Sequence, residues 1–290
     1  MPLQQSELIL NDDGSIYHLN LLPPEIADTI ITVGDPDRVA TVTQYFDEIE
    51  FSKQKREFKT VTGSYKNKRI TVISTGIGTD NIDIVLNELD ALANIDLNTR
   101  EVKKELTSLT IIRLGTSGAI QKEIPVDSIL ISEKALGFDG LIHFYKSKNL
   151  RNTSFENAFI KHTSWNSEKS KPYCISANQE LIKNFKSLNF LEGITATNIG
   201  FYGPQGRKLR LETSDSQLNS KIESFRFEDQ LITNLEMETS GIYALSALLG
   251  HKALSINAIL ANRVTGVFSK KPSKIINTMI LKALDRIASL

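Results

Sequence analysis

The sequence predicts an α/β fold, with strands and helices alternating about a central, largely buried sheet, and three observations predict it. Strand-length runs rich in β-branched residues recur, among them "TIITVG", "LTIIRLG", "DSILIS" and "KALSINAILAN". Segments with apolar residues at the spacing of one helix face alternate with them. The 290 residues are 40% hydrophobic and 23% charged, a balance that can build a large core. No repeat, low-complexity tract or linker divides the chain, so residues 1–290 read as one domain.

Taken in order, "TIITVG" reads as a buried strand ending at Gly34, with a short helix starting at Pro36. "REFKTVTGSYKNKRITVISTG" reads as two strands joined at Lys66, Asn67 and Lys68, a hairpin pattern. "DNIDIVLNELDALA" places Ile82, Val85, Leu86 and Leu89 on one helix face. "LTIIRLG" is a further buried strand, with Gly115, Thr116, Ser117 and Gly118 expected to form a tight turn after it, and "DSILIS" is the next strand. The polar stretch from Lys146 to Lys171 reads as loop and short helix. "EGITATNIGFYG" resumes strand character, "EMETSGIYALSALLG" is a helix closed by Gly250, and "KALSINAILAN" is a buried strand. "SKIINTMILKALDRIAS" is an amphipathic helix with residues 275, 276, 279, 280, 283, 284 and 287 on one face.

Composition excludes several classes. Lys plus Arg equals Asp plus Glu at 34 each, so neither a nucleic-acid surface nor a polybasic membrane anchor is expected. Cys174 is the single cysteine, which excludes an internal disulfide and reads as a core or half-buried thiol. The start "MPLQQSELILNDDG" lacks the basic and apolar pattern of a signal peptide, and no apolar run is long enough to span a bilayer, so a cytoplasmic protein is expected. There is no GxxxxGK[ST], HExxH or GxSxG, and "GIGTDN" ends in Asn81 where a dinucleotide fingerprint needs glycine.

Chemistry gathers instead at strand ends. In "TVGDPDRVATV" a buried strand runs into Gly34, Asp35, Pro36, Asp37 and Arg38. Ordinary turn chemistry accounts for such a segment. An anion site also does, with Gly34 allowing close approach, helix N–H groups exposed and Arg38 adding a cation. Arg113 lies inside the apolar run "IIRLG" and therefore needs a partner, either an internal carboxylate or a ligand anion held together with Thr116. "KREF" supplies Arg56, which alone would be a surface charge. "NLEMETSG" brackets Met237 with Glu236 and Glu238, either as helix-dipole complements or as acceptors for sugar hydroxyls. "GFYGPQGRKLR" combines Phe201, Gln205 and Arg207, able to stack on a base and to bond its edge, or to form a plain Gly/Pro loop.

Together, "GDPDRV", "KREF", "STGIG", "IRLGTSGAIQ", "ITATNIGFYGPQGR" and "LEMETSGIYALSALLGHKALSINAILANR" resemble the nucleoside phosphorylase family of uridine phosphorylases, purine nucleoside phosphorylases and related nucleosidases. The resemblance implies a three-layer α/β/α sandwich whose mixed central sheet is partly barrel-like. It implies Gly34, Arg38, Arg113 and Thr116 as phosphate ligands, with Arg56 donated by a neighbouring subunit. It implies Met237, Glu238 and Thr116 at the ribose, and His18 in "YHL" reaching a neighbour's sugar. Ser117, Gly118, Phe201, Gln205, Arg207 and Glu236 are then expected around the base, and a homodimer or a hexamer of three dimers shares the sites.

Within the family, "FYGPQGR" matches the uridine branch, and Asn262 stands where the purine branch has an aspartate. The implied activity is reversible phosphorolysis of uridine by inorganic phosphate as co-substrate, catalysed through Arg113, Glu238 and Arg207 without a bound cofactor. Thymidine, deoxyuridine or a purine nucleoside, or nucleoside binding without catalysis, are the competing readings. Arg263 is expected to support the base loop. A monovalent cation at Glu57, Ile77 and Asn81 is implied, with Asn81 departing from the family's serine. The segment from Asn94 to Ser108 looks longer than in shorter bacterial relatives, with no function attached to it.

Overall fold

The apolar runs pair into one sheet of eleven strands in the computed structural model, which describes residues 2–290. In chain order the strands are β1 (Thr29–Val33), β2 (Glu48–Lys55), β3 (Phe58–Tyr65), β4 (Lys68–Ser74), the two-residue β5 (Ile95–Asp96) and β6 (Glu101–Val102), and β7 (Thr110–Ala119). β8 (Ile129–Gly137), β9 (Tyr173–Ser176), β10 (Leu191–Thr197), β11 (Arg226–Phe227), β12 (Gln230–Glu236) and β13 (Lys252–Asn262) follow. The helices are α1 (Pro36–Thr43), α2 (Thr79–Asn94), α3 (Thr153–Thr163), α4 (Gln179–Lys186), α5 (Leu218–Ser224), α6 (Thr239–Leu249) and α7 (Pro272–Ala288).

The sheet runs β11-β12-β10-β8-β13-β7-β1-β4-β3-β2, with β9 on β8, while β5 and β6 form a separate hairpin. It is mixed: β1 lies parallel to β4 and β7, whereas β13 is parallel to β7 and antiparallel to β8. β12 also pairs antiparallel with β7, through Asn234 opposite Ala119 and Leu235 opposite Gly118. That pairing closes β7, β13, β8, β10 and β12 into a five-stranded barrel, and the rest of the sheet extends from β7. Every residue of β1 is buried, which requires cover on both faces. The fold is thus the α/β sandwich with a partly barrel-like sheet that the family resemblance implies.

Local physics explains most elements. Ile82, Val85, Leu86 and Leu89 are all buried on α2, as their spacing predicts. On α7, Met279, Ile280, Ala283, Leu284 and Ile287 are buried, with Ile275 and Ile276 packed at the edge of the same core. The β3–β4 turn holds Lys66 at φ 49° and Asn67 at φ 64°, the paired left-handed geometry of a two-residue hairpin. The polar stretch beyond Lys146 contains α3, whose first turn is capped by the Asn152 side chain accepting from the Phe155 N–H at 3.1 Å. Cys174 is buried, and burial pushes its thiol up to about 12, so it is an inert core residue.

Two expectations fail here. Gly115 to Gly118 are not a turn but the second half of β7, because β13 runs alongside them in register, Ala258 opposite Thr116 and Ile259 opposite Ser117. Helix α1 offers no free N–H to an anion in its first turn. Pro36 has none, the Asp37 N–H is taken by the Asp35 carboxylate at 2.9 Å, and the Arg38 N–H by the Asp35 carbonyl at 3.0 Å. The segment beyond Asn94 ties down the N-terminal stretch. Its Arg100 side chain donates to the Leu3 and Leu8 carbonyls, and the Leu3 N–H donates to the Arg100 carbonyl.

Candidate active site

A cavity of about 600 Å³ opens where β1, β7, β12 and β13 end. Gly34, Arg38, Arg113, Thr116, Ser117, Gly118, Phe201, Gln205, Arg207, Glu236, Met237 and Glu238 all line it, although the chain brings them from well-separated stretches. Asp35, Ile77, Leu260 and Phe268 line it as well.

One end is built on strands. Arg113 is buried on β7 and held from both sides. One terminal nitrogen donates to Glu238 Oε2 at 2.6 Å and lies 3.1 Å from Glu236 Oε2; the other donates to Asn257 Oδ1 at 2.8 Å. The partner that an arginine in an apolar run demands is therefore internal. Burial works against its charge, yet the two carboxylates raise the Arg113 pKa above the usual guanidinium range. Gly115 is required beside it, because a Cβ there would stand 1.9 Å from an Arg113 terminal nitrogen.

Glu238 is placed as the N-cap of α6, and its other oxygen accepts from the Gly78 N–H at 2.9 Å. Gly78 makes that approach at φ 101°, a conformation that disfavours side chains. Burial raises the Glu238 pKa, with the Arg113 charge opposing the shift. Glu236 differs from Glu238. Its carboxylate accepts from Thr197 Oγ1 at 2.6 Å and from the Glu238 and Thr239 N–H groups, each at 2.9 Å. Those contacts hold the β12–α6 junction, and Glu236 also lines the cavity. Arg38 is the contrast: half-buried beside Arg113, it forms no ion pair or side-chain hydrogen bond among the described residues. Burial, then the Arg113 charge, lowers its pKa, with Asp35 opposing the shift. Gly34 lines the cavity with only the Gly76 carbonyl, at 3.5 Å, near its missing Cβ.

The other end is a loop that organises itself. Arg207 donates to the Phe201 carbonyl at 2.6 Å and to Gln205 Oε1 at 2.5 Å, and its guanidinium lies 3.7 Å from the centre of the Phe201 ring. Gln205 is buried with Oε1 engaged, and its Nε2 makes no hydrogen bond among the described residues. Burial, then the charge of Arg263, lowers the Arg207 pKa to about 10. Arg263 itself makes no side-chain hydrogen bond to this loop; its methylenes lie against Gly118, 3.4 and 3.6 Å from where a Cβ would stand. Asn262 is fully consumed, donating to the Gln121 and Ile124 carbonyls and accepting from the Val264 and Thr265 N–H groups.

His18 and Arg56 are not brought to this cavity. Both flank Tyr17, whose ring meets the His18 ring edge-on at 4.8 Å and has the Arg56 guanidinium 5.8 Å away. His18 Nδ1 sits 2.6 Å from Glu88. Glu57 and Asn81 both pack around Gly76, next to Ile77, and no group of three or more His, Cys, Asp or Glu among the described residues could hold a metal. Sequence reasoning missed Asn257, Gly78 and Phe268. An asparagine inside the apolar run "SINAIL" and an aromatic two residues after a glycine in "TGVF" were the available signals.

The family model described as the Phosphorylase superfamily matches residues 28–279. The chain belongs to the phosphorylase superfamily. It is 29% identical over 263 residues to the uridine phosphorylase of Thermococcus kodakarensis, across 91% of this chain and 83% of that protein. It is 27% identical over 279 residues to the DeoD-type purine nucleoside phosphorylase of Oceanobacillus iheyensis, across 93% and 98%. The solved Trypanosoma brucei nucleoside phosphorylase, described as showing uridine phosphorylase activity, aligns with a TM-score of 0.86 at 29% identity, covering 96% of this chain and 99% of that one. No described helix is long and apolar enough to cross a membrane.

Proposed function

We propose that this cavity carries out reversible phosphorolysis of uridine, giving uracil and ribose 1-phosphate. The observation that carries the reading is the preassembled Phe201–Gln205–Arg207 wall, which lines the same cavity as the unpaired Arg38. Phosphate binds against Arg38, Thr116 and Arg113, on the face of the sugar opposite the base. Glu238, backed by Met237, accepts the ribose hydroxyls. Uracil stacks on Phe201, bonds Gln205 Nε2, and leaves with its charge stabilised by Arg207. No covalent protein nucleophile is required, because positioning and fixed charges stabilise an oxocarbenium-like sugar between phosphate and departing base. Phosphate is a co-substrate and no organic cofactor takes part.

The buried Asn262 favours the pyrimidine over the purine reading. All four of its hydrogen-bonding directions are spent on backbone, so it is neither an acid nor free to turn toward a base. His18 and Arg56 complete the cavity of a second copy, with residues 1–290 acting as one catalytic unit in a homodimer or a hexamer of three dimers. A monovalent cation near Glu57, Ile77 and Asn81 belongs to that interface. The protein works in the cytoplasm, without nucleic-acid or membrane partners.

The test follows uracil release from uridine by the purified protein with and without phosphate, with inosine and thymidine in parallel. Phosphate-dependent release from uridine is the expected result. Turnover of inosine in its place would overturn the pyrimidine reading, and release without phosphate would make the protein a nucleosidase.

A further inference from the structure

Behind the cavity, buried polar side chains link all five strands of the barrel. Arg113 on β7 donates to Asn257 Oδ1 on β13 at 2.8 Å, and Asn257 Nδ2 reaches Ser132 Oγ on β8 at 3.1 Å. Ser132 Oγ lies 2.5 Å from Thr195 Oγ1 on β10, which is 2.9 Å from Asn234 Oδ1 on β12. Asn234 Nδ2 then returns to β7, at Ser117 Oγ, 2.9 Å away. Asn257, Ser132, Thr195 and Asn234 are completely buried, and Ser117 lines the cavity.

Proton counting gives this ring a direction. A guanidinium only donates, so the atom of Asn257 facing Arg113 is its oxygen and the amide nitrogen faces Ser132. Ser132 therefore accepts from Asn257 and spends its single proton on Thr195. Thr195 accepts in turn and spends its own proton on Asn234. The Asn234 oxygen is turned to Thr195 at 2.9 Å, so its nitrogen donates to Ser117; Thr233 Oγ1, 2.8 Å from that oxygen and 3.0 Å from the Ile194 carbonyl, has one proton to share between them and does not set the direction. Ser117 is left as the terminal acceptor, with its own proton unspent and the cavity beside it. Were the ring reversed at any link, Arg113 would face an N–H group, or a buried donor would lose its acceptor.

We infer that the Arg113 charge, relayed through Asn257, Ser132, Thr195 and Asn234, holds the Ser117 hydroxyl as a hydrogen-bond donor to the bound nucleoside, selecting a base that presents a carbonyl acceptor there. The four relay groups are positioning residues, since none of them lines the cavity. The inference rests on the proposed nucleoside phosphorolysis. It adds that one arginine both meets the phosphate and sets the polarity of the base side.

Asn234→Asp tests it, because a carboxylate can only accept. It would take the Ser117 proton and leave the substrate facing lone pairs. Measured as kcat/KM for phosphorolysis over pH 5.5–8.5, the variant is expected to lose about tenfold at the alkaline end, the scale of one hydrogen bond. The loss should shrink as pH falls and the new carboxyl protonates, since the neutral acid can donate to Ser117 again. Adding Ser117→Ala to Asn234→Asp should cost no more than Ser117→Ala alone. A loss independent of pH, or additive with Ser117→Ala, would overturn the relay. If Asn234→Asp does not fold, Thr195→Val read against Ser117→Ala makes the same comparison, with Thr195→Ser expected to restore activity. A wild-type protein that turns over no nucleoside at all would sink the phosphorolysis reading, and the relay with it. Wild-type turnover with additive variant losses would sink the relay alone.

Discussion

The two ends of the cavity are made in opposite ways. The arginine–carboxylate end is long-range: Arg113 meets Glu238 and Asn257 across 125 and 144 residues of sequence, and Gly78 meets Glu238 across 160. The loop end is local, with Arg207 bonding Phe201 and Gln205 only six and two residues away. Charges at the first end are buried and mutually satisfied, Arg38 excepted, so function and stability are coupled there. At the second end the groups hold one another, and little of the rest of the fold depends on them.

The sharpest way to break this contrast is Arg113→Leu. Glu236 and Glu238 would be left buried without their cation, which costs about 3–5 kcal/mol when one partner of a buried pair is removed. Urea unfolding should reveal that loss together with near-complete loss of turnover; a variant as stable as wild type would refute the coupling. Arg207→Ala should separate the two quantities. About 3 kcal/mol of transition-state stabilisation, roughly 100-fold in kcat/KM, is expected to vanish, while stability falls by only about 1 kcal/mol, the net worth of the hydrogen bond lost to the buried Gln205. A variant within threefold of wild-type activity would remove Arg207 from the leaving-group role.

Arg38→Ala refines the first end from within. Its charge has no internal partner and is opposed by Arg113, so stability should hold or rise slightly while the KM for phosphate increases about tenfold, the scale of a lost charge-assisted hydrogen bond. Equal losses of stability and phosphate affinity would mean that Arg38 is a structural residue. The smallest expected effect is on pH. Because burial raises the Glu238 pKa, activity should start to fall on acidification above the ordinary glutamate value of about 4.3. The sign follows from the role: the ionised form accepts the sugar hydroxyls, and a raised pKa brings protonation on earlier as pH drops. Glu238→Gln should lack that limb in a kcat/KM profile.

How much of this was legible depended on the range of the interaction. The hairpin at Lys66 and Asn67, the buried face of α2 and the Gly250 close of α6 follow from residues within one or two turns of each other. The Phe201–Arg207 loop was legible for the same reason, since its motif carries its own contacts. The strand conformation of Gly115 to Gly118 was not, because glycines next to Thr and Ser signal a turn until a neighbouring strand satisfies their backbone. The capped start of α1 does have a local signal: Asp35 ahead of Pro36 is a strong N-cap, and it occupies the N–H that an anion would have used.

By itself the sequence determined the alternation of strands and helices, most of the residues that line the cavity, and the family, because these reside in composition, period and motif. Only the tertiary structure decided that β12 returns to β7 and closes the barrel. That closure brings Glu236 and Glu238 onto Arg113 and leaves Arg38 without a partner. The physical reason is that a buried charge must be matched in space. Many partners distant in sequence could satisfy that need, and closure of the sheet selects among them.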